Sequence, residues 1–411
     1  MKIGFETHIP LDTETKLFSD EARGQRAPYA AGQPGTRHSL QRKAVKHSIK
    51  LSLTLDMDIA DTLSFDRKQY FYPDLPKGYQ ITQHRHPLAT QGVFSTSHGD
   101  ALIKELHIEE DPSRTMKSPS KAYIDDSRSG EPLIELVTTP CFHDIDEALA
   151  FLDELTTHAN YLGIMDAAKG FKTDTNISIE PTQHTRVEIK NITGRDNVKD
   201  ALQYEAWRQH SAVETGHTIE RETRHYDSLK GMTKPSRDKE TYTEYAFIPE
   251  PDIPSIKTES LVSAVKKDLP RPRQTIINEL VDQGISKQEA TTIASHPAQR
   301  HYYDTIRTRF DAATTQTIVT QHLPHVLDQH SKTWHDIPDD KLQDIVVVAD
   351  QEDLPENTIK DLLWQTLFND NQPRQWVEDT VSDDDPQQTM QALLDEHPSR
   401  VQAYKDGNKA V

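Results

Sequence analysis

Four short segments of the chain alternate apolar residues with acids, histidines or cations. Their polar members are Glu6 and His8; His107 and Glu109; Asp174, Asn176, Ser178 and Glu180; and Arg186, Glu188 and Lys190. Because successive side chains of a β-strand point to opposite faces, each set would share one face of its strand. An antiparallel sheet with one solvated face would show the same alternation. The repeated use of carboxylates and histidines favours a functional polar face.

These residue types suit metal-assisted phosphoryl transfer. Carboxylate oxygens with one or two imidazoles can bind Mg²⁺, with waters and phosphates completing the octahedron. Arg186 and Lys190 could hold phosphate oxygens and neutralise the charge of a transferring phosphoryl group. We therefore predict that one set of side chains converges closely enough to share a metal, namely Glu6, His8, His107 and Glu109.

Residues 65–83 form a second unusual segment, in which aromatics, prolines and charges alternate. Pro73 and Pro76 remove two backbone donors and keep their neighbours extended, and Gly78 allows a turn. We expect a stiff loop that presents Asp66, Arg67, Lys68, Tyr70, Tyr72 and Lys77 in fixed directions. A loop that only covers a sheet edge is the alternative.

The apolar spacing predicts the elements that must position these residues. Strands are expected at 2–9, 101–110, 174–180 and 185–191, and helices at 39–55, 144–161 and 198–215. The core-facing residues would be Ile3, Phe5, Thr7 and Ile9 on the first strand, and Leu102, Leu106 and Ile108 on the second. Asp144 followed by Glu147 forms a capping-box pattern at a helix start.

Three prolines between 249 and 254 indicate a linker, after which the apolar pattern becomes mostly helical. The sequence thus predicts an α+β domain over residues 1–255, a helical domain over 256–380 and a short tail over 381–411. Ser286 and Glu289 repeat the capping-box pattern in the helical part. The apolar run 345–349 fits either a helix or a strand.

Composition narrows the class of protein. The chain has 411 residues, a formal charge of −19 and a single cysteine, Cys141, which fits a reducing cytoplasm and excludes an internal disulfide. No apolar run reaches membrane-span length, and no signal-peptide pattern is present. The acidic balance argues against non-specific nucleic-acid binding, so any tRNA contact needs a local basic patch. Residues 221–239 are one candidate patch, and a solvated charged loop is the alternative.

Several motifs, in order along the chain, carry a family resemblance. They are residues 4–8, 16–18, 32–35, 43–45, 65–83, 107–111, 128–135, 186–191, 249–252 and 397–407. In these motifs the chain resembles GatB, the B subunit of the aspartyl/glutamyl-tRNA amidotransferase. The resemblance is most specific in residues 65–83, which match the signature loop of that family.

The resemblance implies a fold and an activity. The catalytic part of GatB is a cradle that resembles glutamine synthetase, with a mainly antiparallel sheet. The family uses ATP and Mg²⁺ to phosphorylate the side-chain carboxylate of Asp or Glu misacylated onto tRNA. Ammonia from an amidase A subunit then displaces the phosphate, and a small C subunit completes the heterotrimer. Whether Asp-tRNA or Glu-tRNA is the substrate stays open.

Site roles follow from the family motifs. The residues carried over as catalytic are Glu6, His8, Glu109, Glu188 and Lys190. Those expected to bind the nucleotide are Arg186, Lys190 and Glu135, and those expected to bind the metal are Glu6, His8, His107 and Glu109. Asp66, Lys68, Tyr70 and Lys77 of the signature loop are expected to orient the aminoacyl end of the tRNA.

The chain also departs from the family pattern. The cysteine pairs that hold a structural zinc in many members are missing, so no zinc is expected. Ala167 and Ala168 stand where an acidic pair is expected, and other differences are Ser127, Glu244 and Ala246. The sequence ends soon after the 397–407 motif, where the family has further tRNA-contacting helices.

These departures leave two alternatives to an active transamidase subunit. One is a degenerate paralogue that binds subunits or tRNA without catalysis. The other is the archaeal E-type relative, whose extra inserted domain has no room in this chain. If the chain is active, another acid must replace the charge of the missing pair, and the nearest are Asp166, Asp174 and Glu180. We predict that at least one of them lies beside Glu6 and His107.

Overall fold

The computed structural model describes residues 1–118, 121–166, 168–236, 245–369 and 371–381. The chain divides into two compact units, Met1–Arg271 and Pro272–Val411. Ala167, Glu244 and all of the predicted tail after residue 381 lie outside the described residues.

The first unit carries all the strands that the structure describes. They are β1 (Lys2–Pro10), β2 (Asp58–Ile59), β3 (Thr62–Leu63), β4 (Asp66–Gln69), β5 (Tyr79–Thr82), β6 (Ala89–Thr96), β7 (Gly99–Glu110), β8 (Arg114–Lys117), β9 (Ala122–Asp125), β10 (Pro132–Thr138), β11 (Lys172–Ser178), β12 (Val187–Thr193), β13 (Glu222–Asp227), β14 (Met232–Pro235), β15 (Ala246–Pro249) and β16 (Ile256–Lys257).

Helices flank these strands and make up the second unit. In the first unit they are α1 (Arg42–Thr54), α2 (Ile145–Tyr161), α3 (Arg195–Glu214) and α4 (Glu259–Lys267). In the second they are α5 (Arg273–Asp282), α6 (Lys287–Ile293), α7 (Pro297–Arg307), α8 (Ala312–Thr317), α9 (Leu323–Gln329), α10 (Asp339–Gln351), α11 (Glu356–Thr366) and α12 (Pro373–Val381).

Nine strands form one large sheet in the order β14-β13-β12-β11-β1-β10-β7-β6-β2. Its neighbouring strands are antiparallel except β12 and β13, which run parallel. A separate three-stranded sheet has the order β15-β4-β5. The predicted α+β class, with a mainly antiparallel sheet followed by a helical region, is therefore confirmed.

The apolar face of the large sheet packs against α2 and α3. Ile3, Phe5 and Ile9 of β1 are buried there, as the alternation predicts. The Phe5 ring stacks on Phe151 of α2, with 6.1 Å between ring centroids. Because this face is fixed by core packing, the intervening side chains of β1 must point to the opposite, polar face.

The start of α2 has the predicted cap. The Asp144 carboxylate accepts a 2.7 Å hydrogen bond from the Glu147 amide, and the Glu147 carboxylate accepts one of 2.7 Å from the His143 amide. These bonds satisfy two donors that a helix start otherwise leaves open. The predicted helix boundary is therefore correct to within one residue.

Strict alternation fails on β7. Leu102 was predicted to face the core with Leu106 and Ile108, but it is 46% exposed, whereas Ile103 and Leu106 are both buried. The pairing register between β10 and β7 shifts between Val137 and Thr138, which reverses the alternation of β7 at this point. The placement of Leu102 is therefore wrong, and the positions after the shift are right.

The strand that begins at Lys172 ends earlier than predicted. β11 stops at Ser178, and Glu180 begins a short 3₁₀ turn, Glu180–Thr182, in which it is exposed. Pro181 has no amide hydrogen with which to continue a ladder, so the strand cannot extend through it. The expectation that Glu180 shares the strand face of Asp174 and Asn176 is therefore wrong.

The first unit continues beyond the predicted boundary at 255. β16 pairs with β3, and α4 packs against α1. Both elements follow the proline-rich segment yet add to the α+β unit, which reaches Arg271. A proline-rich stretch breaks regular structure, but it need not separate two hydrophobic cores.

The second unit is helical throughout its described part. Ser286 caps α6, and its hydroxyl also donates a 2.5 Å hydrogen bond to Glu289, as the capping pattern predicts. The ambiguous run 345–349 lies in α10, where Ile345 and Ala349 are fully buried. Among the described helices, none combines the length and the apolar character that a membrane crossing needs.

Candidate active site

A cavity of about 550 Å³ lies between the polar face of the large sheet and the small β15-β4-β5 sheet. The large sheet contributes Glu6, His107, Glu109 and Glu135 to its lining, and the small sheet and its flanking residues contribute Lys68, Thr82, His84 and Phe247. A hydrogen bond from the Thr82 hydroxyl to a Glu109 carboxylate oxygen, 3.3 Å long, joins the two sheets. The predicted polar face is thus covered by a second layer of protein.

His8, Glu109 and Glu135 form the first acid cluster on this face. The register places His8 opposite Glu135 on β10, and Glu135 opposite His107 on β7. His8 Nε2 lies 3.1 Å from Glu109 Oε1 and 4.0 Å from Glu135 Oε1. One ligand atom from each of the three residues lies within 4.8 Å of the others, which is a spacing that a single cation can bridge.

The charges in this first cluster depend on each other. Burial alone would lower the pKa of His8, but the hydrogen bond and charge of Glu109, with Glu135, raise it to about 10. Burial would raise the pKa of Glu109, yet its bond to His8 lowers it. Burial and the neighbouring Glu109 raise the pKa of Glu135 to about 7. These shifts favour a positively charged His8 beside a negatively charged Glu109.

Glu6, Asp174 and Glu188 form a second acid cluster on neighbouring strands. Glu6 on β1 lies directly opposite Asp174 on β11, and one oxygen from each of the three carboxylates lies within 4.8 Å of the others. Asn176 donates a 3.3 Å hydrogen bond to Glu6. Burial, with the charges of Glu188 and Asp174, raises the pKa of Glu6. Lys190 Nζ lies 3.7 Å from Glu188, so one cation already offsets part of this charge.

The predicted set of four metal ligands is divided by the structure. His8 and Glu109 belong to the first cluster and Glu6 to the second. His107 joins neither, because its Nε2 lies 3.6 Å from Glu105 and its Nδ1 hydrogen-bonds to the Gln83 carbonyl. These contacts outweigh the effect of burial and raise the pKa of His107. Two candidate cation sites replace the single predicted one.

A third group of potential ligands, His38, Glu250 and Asp252, is already neutralised. Arg67 donates hydrogen bonds of 2.6 and 2.8 Å to the two oxygens of Glu250, and one of 3.1 Å to Asp252. A bidentate guanidinium occupies the carboxylate that a metal would need. We therefore regard this group as an ion-pair network that ties the 249–254 segment to β4.

Two signature-loop residues expected to contact substrate point into the protein instead. Asp66 is 3% exposed and accepts hydrogen bonds of 3.0 Å from the amides of His84 and Arg85, and others from the Arg85 side chain. Lys77 donates to Glu110 and, at 2.9 Å, to the Tyr29 hydroxyl. Asp66 ties β4 to the segment that follows β5, and Lys77 ties the loop to Glu110 on β7 of the large sheet, so both residues position the loop.

Lys68 and Tyr70 of the same loop lie close to Tyr245. Lys68 lines the cavity, and its Nζ lies 4.6 Å from the centre of the Tyr245 ring and 5.9 Å from that of Tyr70. The register opposes Lys68 to Phe247 on β15 and to Gln80 on β5. Of the predicted substrate set, Lys68 lines the cavity, and Tyr70 lies beside it.

With this geometry in place, comparison with known proteins assigns the family. Residues 1–263 match the family model of the GatB/GatE catalytic domain. The chain belongs to the GatB/GatE family. It is 31% identical to the B subunit of the aspartyl/glutamyl-tRNA(Asn/Gln) amidotransferase of Haloquadratum walsbyi, over 98% of this chain and 90% of that protein. It is 34% identical to the corresponding B subunit of Coprothermobacter proteolyticus, over 99% and 91%. The resemblance predicted from the motifs is confirmed.

Within this GatB/GatE chain, the region of the missing acidic pair is held by ion pairs. Asp166 pairs with Arg23 and lies 3.7 Å from Lys169, which itself pairs with Glu131. Ala168 is exposed. Asp166 is therefore engaged elsewhere, and Glu180 is exposed on its turn, so among the three acids that could replace the pair, Asp174 is the one that lies beside Glu6.

The predicted basic patch is partly interior. Arg224 is 6% exposed and lies in a network with Glu205, Glu222 and Thr233, in which Glu205 is fully buried. Lys234 donates a 2.5 Å hydrogen bond to Asp227. Arg237 and Lys239 lie outside the described residues. Arg224 therefore stabilises the junction of α3 with β13 and β14 and is removed from the candidate tRNA contacts.

Several cavity residues were not predicted as site residues. Thr82, His84 and Phe247 line the cavity, and the His84 and Phe247 rings stack with 3.8 Å between centroids. The alternation of Tyr245, just before β15, with Phe247 on β15 is a signal that could have indicated a strand face. The pairing of β15 with β4 could not be predicted from the sequence, because the partners are 177 or more positions apart along the chain. Arg186, predicted to bind phosphate, does line the cavity.

A comparison of two lysines of the signature loop tests this division of roles. Lys77→Met should destabilise the chain by about 3–5 kcal/mol, because it leaves the buried Glu110 carboxylate without its cation. Lys68→Met should leave the thermal unfolding midpoint close to that of the unaltered chain. Thermal denaturation of both variants measures this. Equal destabilisation by the two substitutions would contradict the assignment of Lys77 to positioning and Lys68 to the cavity.

Proposed function

We propose that the chain is the B subunit of a tRNA-dependent amidotransferase. It would convert Asp on tRNA(Asn) or Glu on tRNA(Gln) to the amide, after phosphorylation of the side-chain carboxylate. The observation that carries this proposal is the pair of acid clusters on one sheet face, of which Glu6, Glu109 and Glu135 line the same cavity as Lys68. Family membership and the named relatives support the substrate.

The chemistry needs activation because a carboxylate is a poor acyl donor. A side-chain oxygen of the tRNA-bound residue would attack the γ-phosphorus, and the bond from that phosphorus to the bridging oxygen of ADP would break. Ammonia would then add to the activated carbonyl carbon, and inorganic phosphate would leave as the amide forms. The first step brings the negative charges of the carboxylate and the phosphate groups together. The protein must therefore supply cations at the transferring phosphoryl group.

The donor set fits Mg²⁺. The first cluster offers two carboxylates and an imidazole, and the second offers three carboxylates, each within the spread that one ion can span. Bound ATP would supply the phosphoryl group, and Mg²⁺ held by these clusters would shield its oxygens. In the first cluster His8, Glu109 and Glu135 would hold the ion, with His8 binding as the neutral imidazole.

The remaining roles fall to side chains of this chain. Lys68 and Arg186 line the cavity and can contact phosphate or carboxylate oxygens, and Lys190 lies beside the second cluster. Thr82 holds Glu109 in place. The β15-β4-β5 sheet covers the polar face and limits access of water, which would otherwise hydrolyse the activated carboxylate.

The family resemblance suggests the partners. An amidase A subunit would supply ammonia, a small C subunit would complete the complex, and a tRNA substrate would suit a cytoplasmic location. The competing function is a non-catalytic scaffold, favoured by the alanines at 167 and 168. The second acid cluster opposes that alternative, since Asp174 supplies a carboxylate beside Glu6.

Reconstitution tests the proposal. The chain would be combined with amidase and small subunits, glutamine, ATP and either Asp-tRNA(Asn) or Glu-tRNA(Gln), at low and high salt. We expect ATP-dependent formation of Asn-tRNA or Gln-tRNA, detected by chromatography of the released amino acid. Normal assembly of the complex without amidation of either tRNA would instead establish the scaffold alternative.

A further inference from the structure

A hydroxyl group beside the second acid cluster holds one of its three carboxylates. Thr223 on β13 donates a 3.0 Å hydrogen bond from Oγ1 to Glu188 Oε2. The other oxygen of the same carboxylate, Oε1, lies 3.7 Å from Lys190 Nζ. Thr223 was not predicted as a site residue, and it is not one of the three carboxylates that form the cluster. Its contact with Glu188 therefore has to be explained separately.

The register of β12 and β13 produces this contact. The two strands run parallel, and Glu188 lies directly beside Thr223. Side chains at paired positions share one face of a sheet, so Thr223 lies on the polar face with Glu188. The carbonyl of Thr223 also accepts a 2.9 Å hydrogen bond from the Ser236 amide. Contacts with β12 and with Ser236 thus hold the backbone of Thr223 in place.

The next residue of β13 anchors the strand on the opposite face. Arg224 points away from Thr223, because successive side chains of a strand alternate. Its guanidinium donates hydrogen bonds of 2.9 and 3.0 Å to the hydroxyl and the carbonyl of Thr233 on β14, and it lies 3.4 Å from Glu205 of α3. The fully buried Glu205 also accepts a 2.7 Å hydrogen bond from Thr233. Breaking a buried ionic network is costly, so the register that places Thr223 beside Glu188 is firmly fixed.

The hydrogen bond from Thr223 sets the rotation of the Glu188 carboxylate. The terminal torsion of a glutamate side chain is broad, so the side chain alone does not define the plane of its carboxylate. With Oε2 held by Thr223, that plane is fixed relative to Glu6 and Asp174. Without this bond, the carboxylate could turn both oxygens toward Lys190 and away from the cluster. Hydrogen bonds that orient ligating groups commonly change metal affinity by about 10- to 100-fold.

The first acid cluster has the same kind of support. Thr82 donates a hydrogen bond to Glu109 as Thr223 does to Glu188, at 3.3 and 3.0 Å. Each cluster therefore has one carboxylate that is held by a threonine from outside the cluster. This repetition favours a role for the second threonine in cation binding.

We propose that Thr223 is a positioning residue of the second acid cluster, whose hydroxyl orients the Glu188 carboxylate and so increases the affinity of the cluster for a divalent cation. Thr223 acts through Glu188 and is not itself a ligand. The part of that cation in phosphoryl transfer rests on the proposed function; its binding to the cluster does not.

Cation binding by the full chain, without nucleotide or tRNA, tests the proposal. The probe is Mn²⁺, and the free ion is measured by electron paramagnetic resonance. All variants carry Glu109→Gln, which removes a carboxylate from the first cluster, so that binding reports the second cluster. Adding Thr223→Val should weaken Mn²⁺ binding by about 10- to 100-fold. Adding Thr223→Ser, which keeps the hydroxyl, should leave the affinity within a few-fold of that of Glu109→Gln alone.

Thr96→Val is the matched control. Thr96 ends β6, where its hydroxyl donates a 2.7 Å hydrogen bond to the Gly99 carbonyl at the turn into β7. Its removal should not change Mn²⁺ affinity. Valine resembles threonine in shape and is favoured in strands, so Thr223→Val should keep the thermal midpoint of its parent. A purely structural role of Thr223 would instead lower the midpoint and leave Mn²⁺ affinity unchanged.

Three results would overturn the proposal. They are equal Mn²⁺ affinity with and without Thr223→Val, equal weakening by Thr223→Val and Thr223→Ser, and no Mn²⁺ binding by Glu109→Gln. The amidation assay keeps these failures distinct from failure of the proposed function. Amidation together with cation binding that does not depend on Thr223 would leave the function and remove this inference. Cation binding that depends on Thr223, without amidation, would do the reverse.

Discussion

Glu109→Gln is expected to lower misacylated-tRNA-dependent ATP hydrolysis by the reconstituted complex by ~10³-fold or more, equivalent to ~4 kcal/mol of transition-state stabilisation. Glutamine keeps the volume and an oxygen that can accept the Thr82 hydrogen bond. It removes the negative charge that pairs with His8 and that a bound cation would require. The measurement is phosphate release with and without misacylated tRNA.

The same experiment needs a charge-matched control and a test of folding. Glu154→Gln removes one carboxylate from an exposed contact with Ser97 and should leave the rate unchanged. Thermal unfolding of Glu109→Gln should remain cooperative, since the first cluster loses one charge and no packing volume. Wild-type turnover in Glu109→Gln would exclude the first cluster from the reaction.

The strand faces could be predicted because core packing fixes them. Ile3, Phe5 and Ile9 alternate with Glu6 and His8, and burying the first set forces the second onto the other face. The same reasoning failed at Leu102, where the register shift between β10 and β7 changes the parity. A shift of this kind depends on the partner strand, so the sequence of one strand does not reveal it.

The division into two acid clusters could not be predicted from the sequence, for a related reason. Alternation indicates which face a side chain occupies, but strand order and register decide its neighbours. The order β11-β1-β10-β7 places Asp174 next to Glu6 and Glu135 next to His8. Motif matching gave the residues, yet it could not show that His107 turns to Glu105 and the Gln83 carbonyl.

The signature loop shows the limit of residue type as a guide to role. Lys68 and Lys77 are both cations of one segment, and both were expected to contact substrate. The β4–β5 pairing places Lys68 at the cavity, while the turn between the strands carries Lys77 back to Glu110 and Tyr29. Burial lowers the pKa of Lys77, because the interior disfavours its charged form. The interior partner Glu110 offsets this effect, and the sequence alone does not reveal that partner.

Asp174→Asn is expected to lower amidation by about 100-fold or more, with the loss in kcat. The missing acidic pair at Ala167 and Ala168 removes two charges that the family pattern supplies, and Asp174 is the acid that the sheet register brings to Glu6. If the second cluster binds a cation during the reaction, cation binding depends on the Asp174 carboxylate more than it would in a chain that has the acidic pair.

The two neighbouring acids provide the contrast that makes this decisive. Asp166→Asn removes a partner of Arg23 and Lys169 and should act mainly on stability, seen as a lower thermal midpoint with kcat within a few-fold of the unaltered complex. Glu180→Gln alters an exposed turn and should change neither quantity.

Measuring kcat across a Mg²⁺ titration adds a direct readout, because weaker cation binding in Asp174→Asn should shift the half-maximal Mg²⁺ concentration upward. An unchanged kcat and Mg²⁺ dependence in Asp174→Asn would mean that the second cluster does not bind a catalytic cation. A cation held by the first cluster, with Lys68 and Arg186, would then have to neutralise the phosphoryl charge.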